Sequence, residues 1–416
     1  MSVRVYCLNS THHSPDDRQT TLHVCFALPL NERYTPSTGG AIATVTRNLA
    51  RELASLGHRT TILAPTDGAA CYPEGEVIPL HYGPSYPAQV LRRKVNTLHA
   101  RHQGWVWPDY GPYLRSLRRA FRSMDSRLDV VIAANDPVLA RIVTERLPKV
   151  IPVLWLHNLM EVGDTVGMAQ IPAKVRLVAV SNFVADWTAD RYGLDRSRIS
   201  VAHNGVDTAL FRPRDDYARP SHPVKVICHG RIDPNKGHDI AARAVSRLRM
   251  EGLEVTLTLV GNVQTFGWDD ADVSRYTAEL KTDLGDADAE WLGRLPPTEV
   301  AQQLRAHDVS CVLSRSQEPF ALVSLEAMAS GCAIIASRSG GIPEVVQGAG
   351  TLVEREAVDQ VVDALRVLVK SSPAMVAAKD AALSAAARFT WANTARGLLQ
   401  AVLSRSDAVD VHGGNA

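Results

Sequence analysis

The most constraining feature of this 416-residue chain is the stretch from Ser314 to Val346, S-R-S-Q-E-P-F-A-L-V-S-L-E-A-M-A-S-G-C-A-I-I-A-S-R-S-G-G-I-P-E-V-V. An acidic residue precedes a proline at Glu318-Pro319-Phe320, helix formers run from Ala321 to Ser330, and Gly331 stops them. The apolar run Cys332 to Ala336 reads as a buried strand, Gly340-Gly341 makes a turn, and Pro343-Glu344 opens another helix. The unit is loop, helix, strand and helix, a piece of a parallel α/β sheet. It carries two carboxylates with seven residues between them: Glu318 on the loop, and Glu326 more than one turn inside the helix.

That spacing suits one kind of ligand. Backbone N–H groups at Phe320, Ala321, Leu322 and Val323 form a helix N-terminus, which attracts a diphosphate. A carboxylate a turn further in can accept hydrogen bonds from ribose hydroxyls, and one on the preceding loop can reach a group beyond the diphosphate. The ligand that fits is a nucleotide diphosphate carrying a sugar. A solvated loop acid and an exposed helix acid are the plainer account of either glutamate alone, and a weaker one for the pair.

E-P-F-A-L-V-S-L-E-A-M-A-S-G followed by G-G-I-P-E resembles the E-x7-E signature of the retaining, GT-B-fold glycosyltransferases of family 4. The glycine usual after the phenylalanine is Ala321 here, which narrows backbone approach slightly. The resemblance runs from about Leu22 to about Gln400. It implies two Rossmann-like domains facing across a cleft.

Composition agrees with two domains. The length is too great for one ordinary core. A hydrophobic fraction of 45% and a charged fraction of 21% belong to the globular class. The formal net charge of +1 argues against a general nucleic-acid binder. The six cysteines have no C-x-x-C spacing and read as reduced thiols of a cytosolic protein. No run approaches the ~18 apolar residues of a membrane span. The first residues lack an apolar signal core, so a cytoplasmic location is expected, with peripheral contact at the inner membrane face as an added option.

In the first half, Val3 to Leu8 could be a short strand, and Asn9 to Gln19 reads as loose. His12, His13, Asp16 and Asp17 there lack further ligands at a fitting spacing, so no metal is assigned. Leu22 to Leu28 is the first core strand, Ala41 to Leu56 a helix with apolar residues three or four apart, and Thr61 to Ala64 the next strand. Gly39-Gly40 between them would allow a phosphate or the transferred sugar close to the backbone. Ala88 to His102 and Pro112 to Arg127 are Arg-rich helical patterns, read as solvated faces or as a membrane-surface contact. Trp105, Trp107, Tyr110 and Tyr113 could line an acceptor pocket or pack a loop. Asp129 to Ala134, Val150 to Leu156, Val178 to Val180 and Ile199 to Ala202 are further strands. His157 falls at a strand's C-terminal end, where open α/β sheets bind ligands, and the resemblance implies contact with the donor sugar.

His203-Asn204-Gly205-Val206-Asp207 resembles the family's interdomain linker, and Val224 to Cys228 opens the second domain. After it, H-G-R-I-D-P-N-K-G places Gly230, Arg231 and Lys236 at a strand end, where a guanidinium fork and a point charge suit a diphosphate. Val255 to Val260 ends in Gly261-Asn262. Phe266 to Asp288 looks like a polar insertion whose D-x-D triplets (Asp270/Asp272, Asp286/Asp288) follow no strand and read as solvated helix or loop acids. Glu290 to Leu295, with Leu292 and Arg294, resembles the segment whose backbone reads the nucleobase.

The expected domains are 1–205, completed by a returning helix at 388–404, and a nucleotide-sugar domain at 206–387, with 405–416 a disordered tail. The expected activity is metal-independent, cofactor-free, retaining transfer of a hexose-type sugar, UDP-linked first and GDP-linked next. The acceptor is a small molecule, a glycan or a lipid-linked group. Glu318, His157, Arg231 and Lys236 are the catalytic candidates. A nucleotide-sugar hydrolase or epimerase, and a non-catalytic binding subunit, are the alternatives.

Overall fold

The computed structural model describes residues 21–29, 32–36, 40–65, 68–80, 111–124, 128–160, 165–264, 269–285, 287 and 289–404. Expectations for the first twenty residues, for 88–102, for Trp105, Trp107 and Tyr110, for Gly39, for Asp286 and Asp288 and for the last twelve residues lie outside them.

The first sheet holds β1 (His23–Ala27), β2 (Arg59–Pro65), β3 (Glu76–Leu80), β4 (Val130–Ala134), β5 (Ile151–Leu156), β6 (Arg176–Ala179) and β7 (Ile199–Val201). The second holds β8 (Val224–His229), β9 (Val255–Val260), β10 (Ala289–Trp291), β11 (Val309–Val312), β12 (Ala333–Ser337) and β13 (Thr351–Val353). Their orders are β3-β2-β1-β4-β5-β6-β7 and β10-β9-β8-β11-β12-β13. Every pair in both is parallel. Each sheet therefore reverses direction of winding once, between β1 and β4 and between β8 and β11. In open α/β sheets ligands bind beyond the strand carboxyl ends at such reversals.

Among the described residues the helices are α1 (Ala41–Ser55), α2 (Gly111–Ser123), α3 (Pro137–Arg146), α4 (Thr165–Ala169), α5 (Asn182–Tyr192), α6 (His238–Met250), α7 (Asp270–Leu284), α8 (Pro297–Ala306), α9 (Leu322–Ala329), α10 (Ile342–Val346), α11 (Val358–Lys370), α12 (Ser372–Ala386) and α13 (Trp391–Leu403). None is long and apolar enough to cross a membrane. The strands are nearly continuous apolar runs, since helices cover both faces of each sheet.

Three expectations need correction. The stretch read as a polar insertion contains α7, which buries Tyr276, Leu280 and Leu284, spaced four apart, against α6. Asp269 caps it by accepting the Asp272 N–H at 2.9 Å, and Asp270 and Asp272 sit in its first turn, where helix dipoles favour acids. Strand β3 was not expected at all: it is an edge strand interrupted by Pro79, which only an edge tolerates. The helix expected from Ala321 begins at Leu322, with Ala321 left-handed at its N-cap.

The chain returns to the first sheet at its end. Val206 pairs with Thr390 in an isolated bridge, and α13 lies against α1, β6 and β7. Between the two sheets, Phe320, Phe389 and His203 form a ring cluster with centroids 5.7–6.0 Å apart. A buried ion pair holds the start of the second half. Lys379 Nζ donates to Asp308 Oδ1 at 2.7 Å, while Asp308 also accepts the backbone N–H groups of Ser221 and Lys225. Those bonds satisfy a carboxylate with no solvent access.

Candidate active site

The reversal between β8 and β11 gathers the charged residues. Strand β8 ends in His229, Gly230 follows, and a β-carbon at Gly230 would lie 3.3 Å from Val323 in the first turn of α9. Arg231 Nε donates to Asp233 Oδ2 at 2.7 Å. Asp233, itself buried, also accepts the Asn235 N–H at 2.8 Å and so caps the short turn Pro234–Lys236. One carboxylate thus aims the guanidinium and builds the turn that presents Lys236.

Arg315 secures that turn from the other side. It forks onto Asp239 at 2.8 and 2.6 Å and donates to the Pro234 carbonyl at 2.5 Å. Burial alone would raise the Asp239 carboxyl, but Arg315 and Arg243 together outweigh it and hold the group below its ordinary value.

Lys236 Nζ lies 2.5 Å from Glu318 Oε1, which also accepts the Ser314 hydroxyl at 2.7 Å. Glu318 is 8% exposed, so the solvated-acid account of it is excluded. The loop that carries it is fixed by backbone: the Glu318 carbonyl accepts the Gly341 N–H at 2.7 Å. Gly340 has φ +56°, and a β-carbon there would come within 2.2 Å of the Glu318 carbonyl oxygen. The glycine pair of the signature is therefore the floor under Glu318. Helix α9 starts without a side-chain cap, and its N-cap Ala321 sits at φ 68°, ψ 68°. That left-handed conformation explains why glycine suits the position, and among the described residues no side-chain cap takes the first-turn N–H groups of Leu322 and Val323. The Phe320 side chain turns away into the ring cluster.

Glu326, with its side chain 24% exposed, accepts from His229 Nε2 at 3.1 Å. On the other side of β8, the segment after β10 is tied to the segment after β9. The Gly261 N–H donates to the Gly293 carbonyl at 2.8 Å, and the Arg294 N–H to Asn262 Oδ1 at 2.9 Å. Leu292 N–H is taken by the Leu259 carbonyl at 3.0 Å. The structure thus brings Gly230, Arg231, Lys236, Gly261, Asn262, Leu292, Arg294, Glu318 and Glu326 to one edge of the second sheet.

The first sheet contributes differently. His157 follows β5; its N–H and that of Asn158 donate to Asn135 Oδ1, at 2.7 and 3.3 Å, from the end of β4. Its ring lies against Trp155, with centroids 4.3 Å apart and planes tilted by 51°. Burial pushes the imidazole down to about 3, so it is neutral at physiological pH. Nε2 is buried without a hydrogen-bond partner among the described residues. At Gly40 the expected open phosphate contact is already taken: Glu32 Oε1 accepts the Gly40 and Ala43 N–H groups at 2.8 and 2.9 Å.

The halves are joined beside the Glu318 loop. Ser181 Oγ donates to the Pro319 carbonyl at 2.6 Å. Glu344 of α10 accepts the Asn182 N–H at the start of α5 at 2.9 Å and is bonded to His203 Nε2. Sequence reasoning missed Ser314, Asp233, His229, Ser181 and Glu344. Only the D-P-N-K pattern around Asp233 carried a local signal, that of a capped turn.

Two parallel sheets of one strand order, with charged strand-end loops on the second and a return helix on the first, define the GT-B architecture. The family described as Glycosyl transferases group 1 matches residues 212–388, and that described as Glycosyltransferase Family 4 matches residues 38–210. The chain belongs to the GT-B glycosyltransferases of family 4.

D-inositol 3-phosphate glycosyltransferase of Stackebrandtia nassauensis is 35% identical over 250 residues, covering 57% of this chain and 56% of the relative. That of Nocardia farcinica is 34% identical over 252 residues, covering 58% and 55%. The chain thus spans little more than half the length of these curated relatives. Among solved structures, sucrose-phosphate synthase of Thermosynechococcus elongatus superposes with a TM-score of 0.73 at 18% identity, covering 91% of this chain and 98% of that one. HepE of Anabaena in complex with UDP-glucose gives 0.67 at 17%, with coverage of 91% and 98%. At such identities the structural likeness carries the fold.

Proposed function

We propose that this protein is a retaining glycosyltransferase. It moves a hexose-type sugar from a nucleotide diphosphate donor, UDP-linked first and GDP-linked next, to an acceptor hydroxyl. The observation that carries the reading is the cluster at the β8/β11 reversal, where Lys236, Ser314 and Glu318 interlock beside Arg231 and the uncapped start of α9. A diphosphate set between Arg231, Lys236 and the N–H groups of α9 has its developing charge met as the bond to the sugar breaks. Lys236 then exchanges part of its bond to Glu318 for a phosphate oxygen, which frees Glu318 to accept from sugar hydroxyls. Glu326 takes the ribose hydroxyls, and the loop of Leu292 and Arg294 takes the base.

From the opposite sheet, His157 approaches the sugar as a neutral imidazole, so it adds a hydrogen bond without repelling an oxocarbenium-like centre. Retention follows when the acceptor enters on the face the phosphate leaves, with a phosphate oxygen taking the acceptor proton. A covalent intermediate on Glu318 is the rival path. The diphosphate charge is met by side chains and a helix terminus, so turnover is expected to survive a chelator. The names of the relatives direct the acceptor panel to inositol phosphates first. Domains divided near residue 206, with 388–404 returning to the first, are part of this proposal.

The test incubates the full chain with UDP-glucose, UDP-N-acetylglucosamine or GDP-mannose, with and without inositol phosphates, glycans and lipid-linked acceptors. It reads nucleoside diphosphate release and the anomeric configuration of the product. Acceptor-dependent release with retained configuration is expected. Release of free sugar at the same rate without any acceptor would favour the hydrolase instead.

A further inference from the structure

His229 is the last residue of β8, and its side chain is 3% exposed. Such burial is costly for an imidazole unless its polar atoms are bonded. Nδ1 is buried and has no partner among the described residues. The neighbouring histidines do not supply one: His307 spends its ring on the Gln303 carbonyl and Thr258, and His238 Nδ1 is itself without a partner. The hydrogen bond His229 does make runs from Nε2 to Glu326 Oε2, at 3.1 Å. A carboxylate only accepts, so Nε2 is the donor in that bond.

We propose that His229 is a positioning residue for the donor nucleotide. It holds Oε2 of Glu326 from inside the sheet edge, so that Oε1 is turned outward to the ribose diol. Glutamate has three side-chain torsions, and one on a helix whose carboxylate is partly exposed otherwise samples several rotamers. A buried donor fixes one of them before the nucleotide arrives. The inference rests on the reading of Glu326 given under Proposed function.

The experiment is calorimetric titration of the full chain with UDP and with 2′,3′-dideoxy-UDP, the GDP pair run in parallel, after thermal melts show that each variant folds. His229→Phe keeps ring volume and loses the donor; it should weaken UDP roughly ten- to hundredfold, the effect of one hydrogen bond to a charged group. It should leave the dideoxy analogue unchanged. His229→Gln, whose Nε2 can reach the same carboxylate, should recover most of the loss. Adding His229→Phe to Glu326→Ala should cost nothing further. Equal weakening of both nucleotides by His229→Phe, or weakening of neither, overturns the proposal. If Glu326→Ala leaves the preference for UDP over the dideoxy analogue intact, the assignment of Glu326 to the ribose is what fails.

Discussion

The two sheet edges differ in how their polar groups are held. At the edge of the second sheet, charges are paired and locked before any ligand arrives: Arg231 to Asp233, Lys236 to Glu318, Arg315 to Asp239. At the edge of the first, His157 is neutral and rests on the Asn135 side chain, and the anion-attracting start of α1 is filled by Glu32. A diphosphate needs the first kind of edge, since its charge must be met by groups already oriented. A sugar ring and an uncharged hydroxyl need the second. We propose from this comparison a division of labour in which the second domain binds the donor and the first shapes the transfer.

The largest expected effect lies on the charged edge. Lys236→Ala should lower kcat by about 10²–10³, the range for losing one group aimed at a developing oxyanion. Melting curves must accompany it, since among the described residues the Glu318 carboxylate would keep only Ser314 as a partner. A loss as large from a first-domain residue would break the comparison.

His157→Ala should lower kcat by roughly tenfold, as for one lost hydrogen bond of 1–2 kcal/mol, and leave UDP affinity unchanged. The same residue gives a pH signature. Its folded pKa lies below the unfolded value, so the unfolded chain gains the proton first. Stability is full above about pH 6.5 and falls by about 1.4 kcal/mol per pH unit for this group as pH drops towards 3. His157→Gln should flatten part of that slope in chemical denaturation at pH 6.5 and pH 5.

Glu344→Gln tests the contact between the halves. It weakens the bonds to Asn182 and His203 without touching the charged edge. A drop in kcat of about threefold is expected, as for a partly exposed ionic contact, with UDP binding unaltered. Smallest of all, Ala321→Gly should raise stability by no more than about 1 kcal/mol by relieving the left-handed strain. A thermal melt reads it directly.

Much of the second sheet and of the candidate site beside it was legible in the sequence because that candidate site is built from local segments. Glu318 and Glu326 belong to one loop and helix, and Arg231 and Lys236 to one turn. Helix α1 announced itself through Val45, Leu49 and Leu53. Other features depend on partners far along the chain. Glu344 meets Asn182 across 162 positions, Ser181 meets Pro319 across 138, and His229 meets Glu326 across 97. No local pattern encodes such pairs. The capture of the α1 start by Glu32 was hidden for another reason: an acid eight residues before Gly40 looks like any loop acid. Strand β3 was masked by its proline, and α7 by the acids on its solvent face.

The division of labour is tested most directly by a thermal-shift titration with UDP, GDP and their sugars on the wild type, Arg231→Ala and His157→Ala. Binding to the folded form alone raises the midpoint by mass action. A shift with one base that vanishes in Arg231→Ala and persists in His157→Ala is the expected result. A shift that survives Arg231→Ala but vanishes in His157→Ala would contradict the account, because the donor nucleotide would then sit on the first domain.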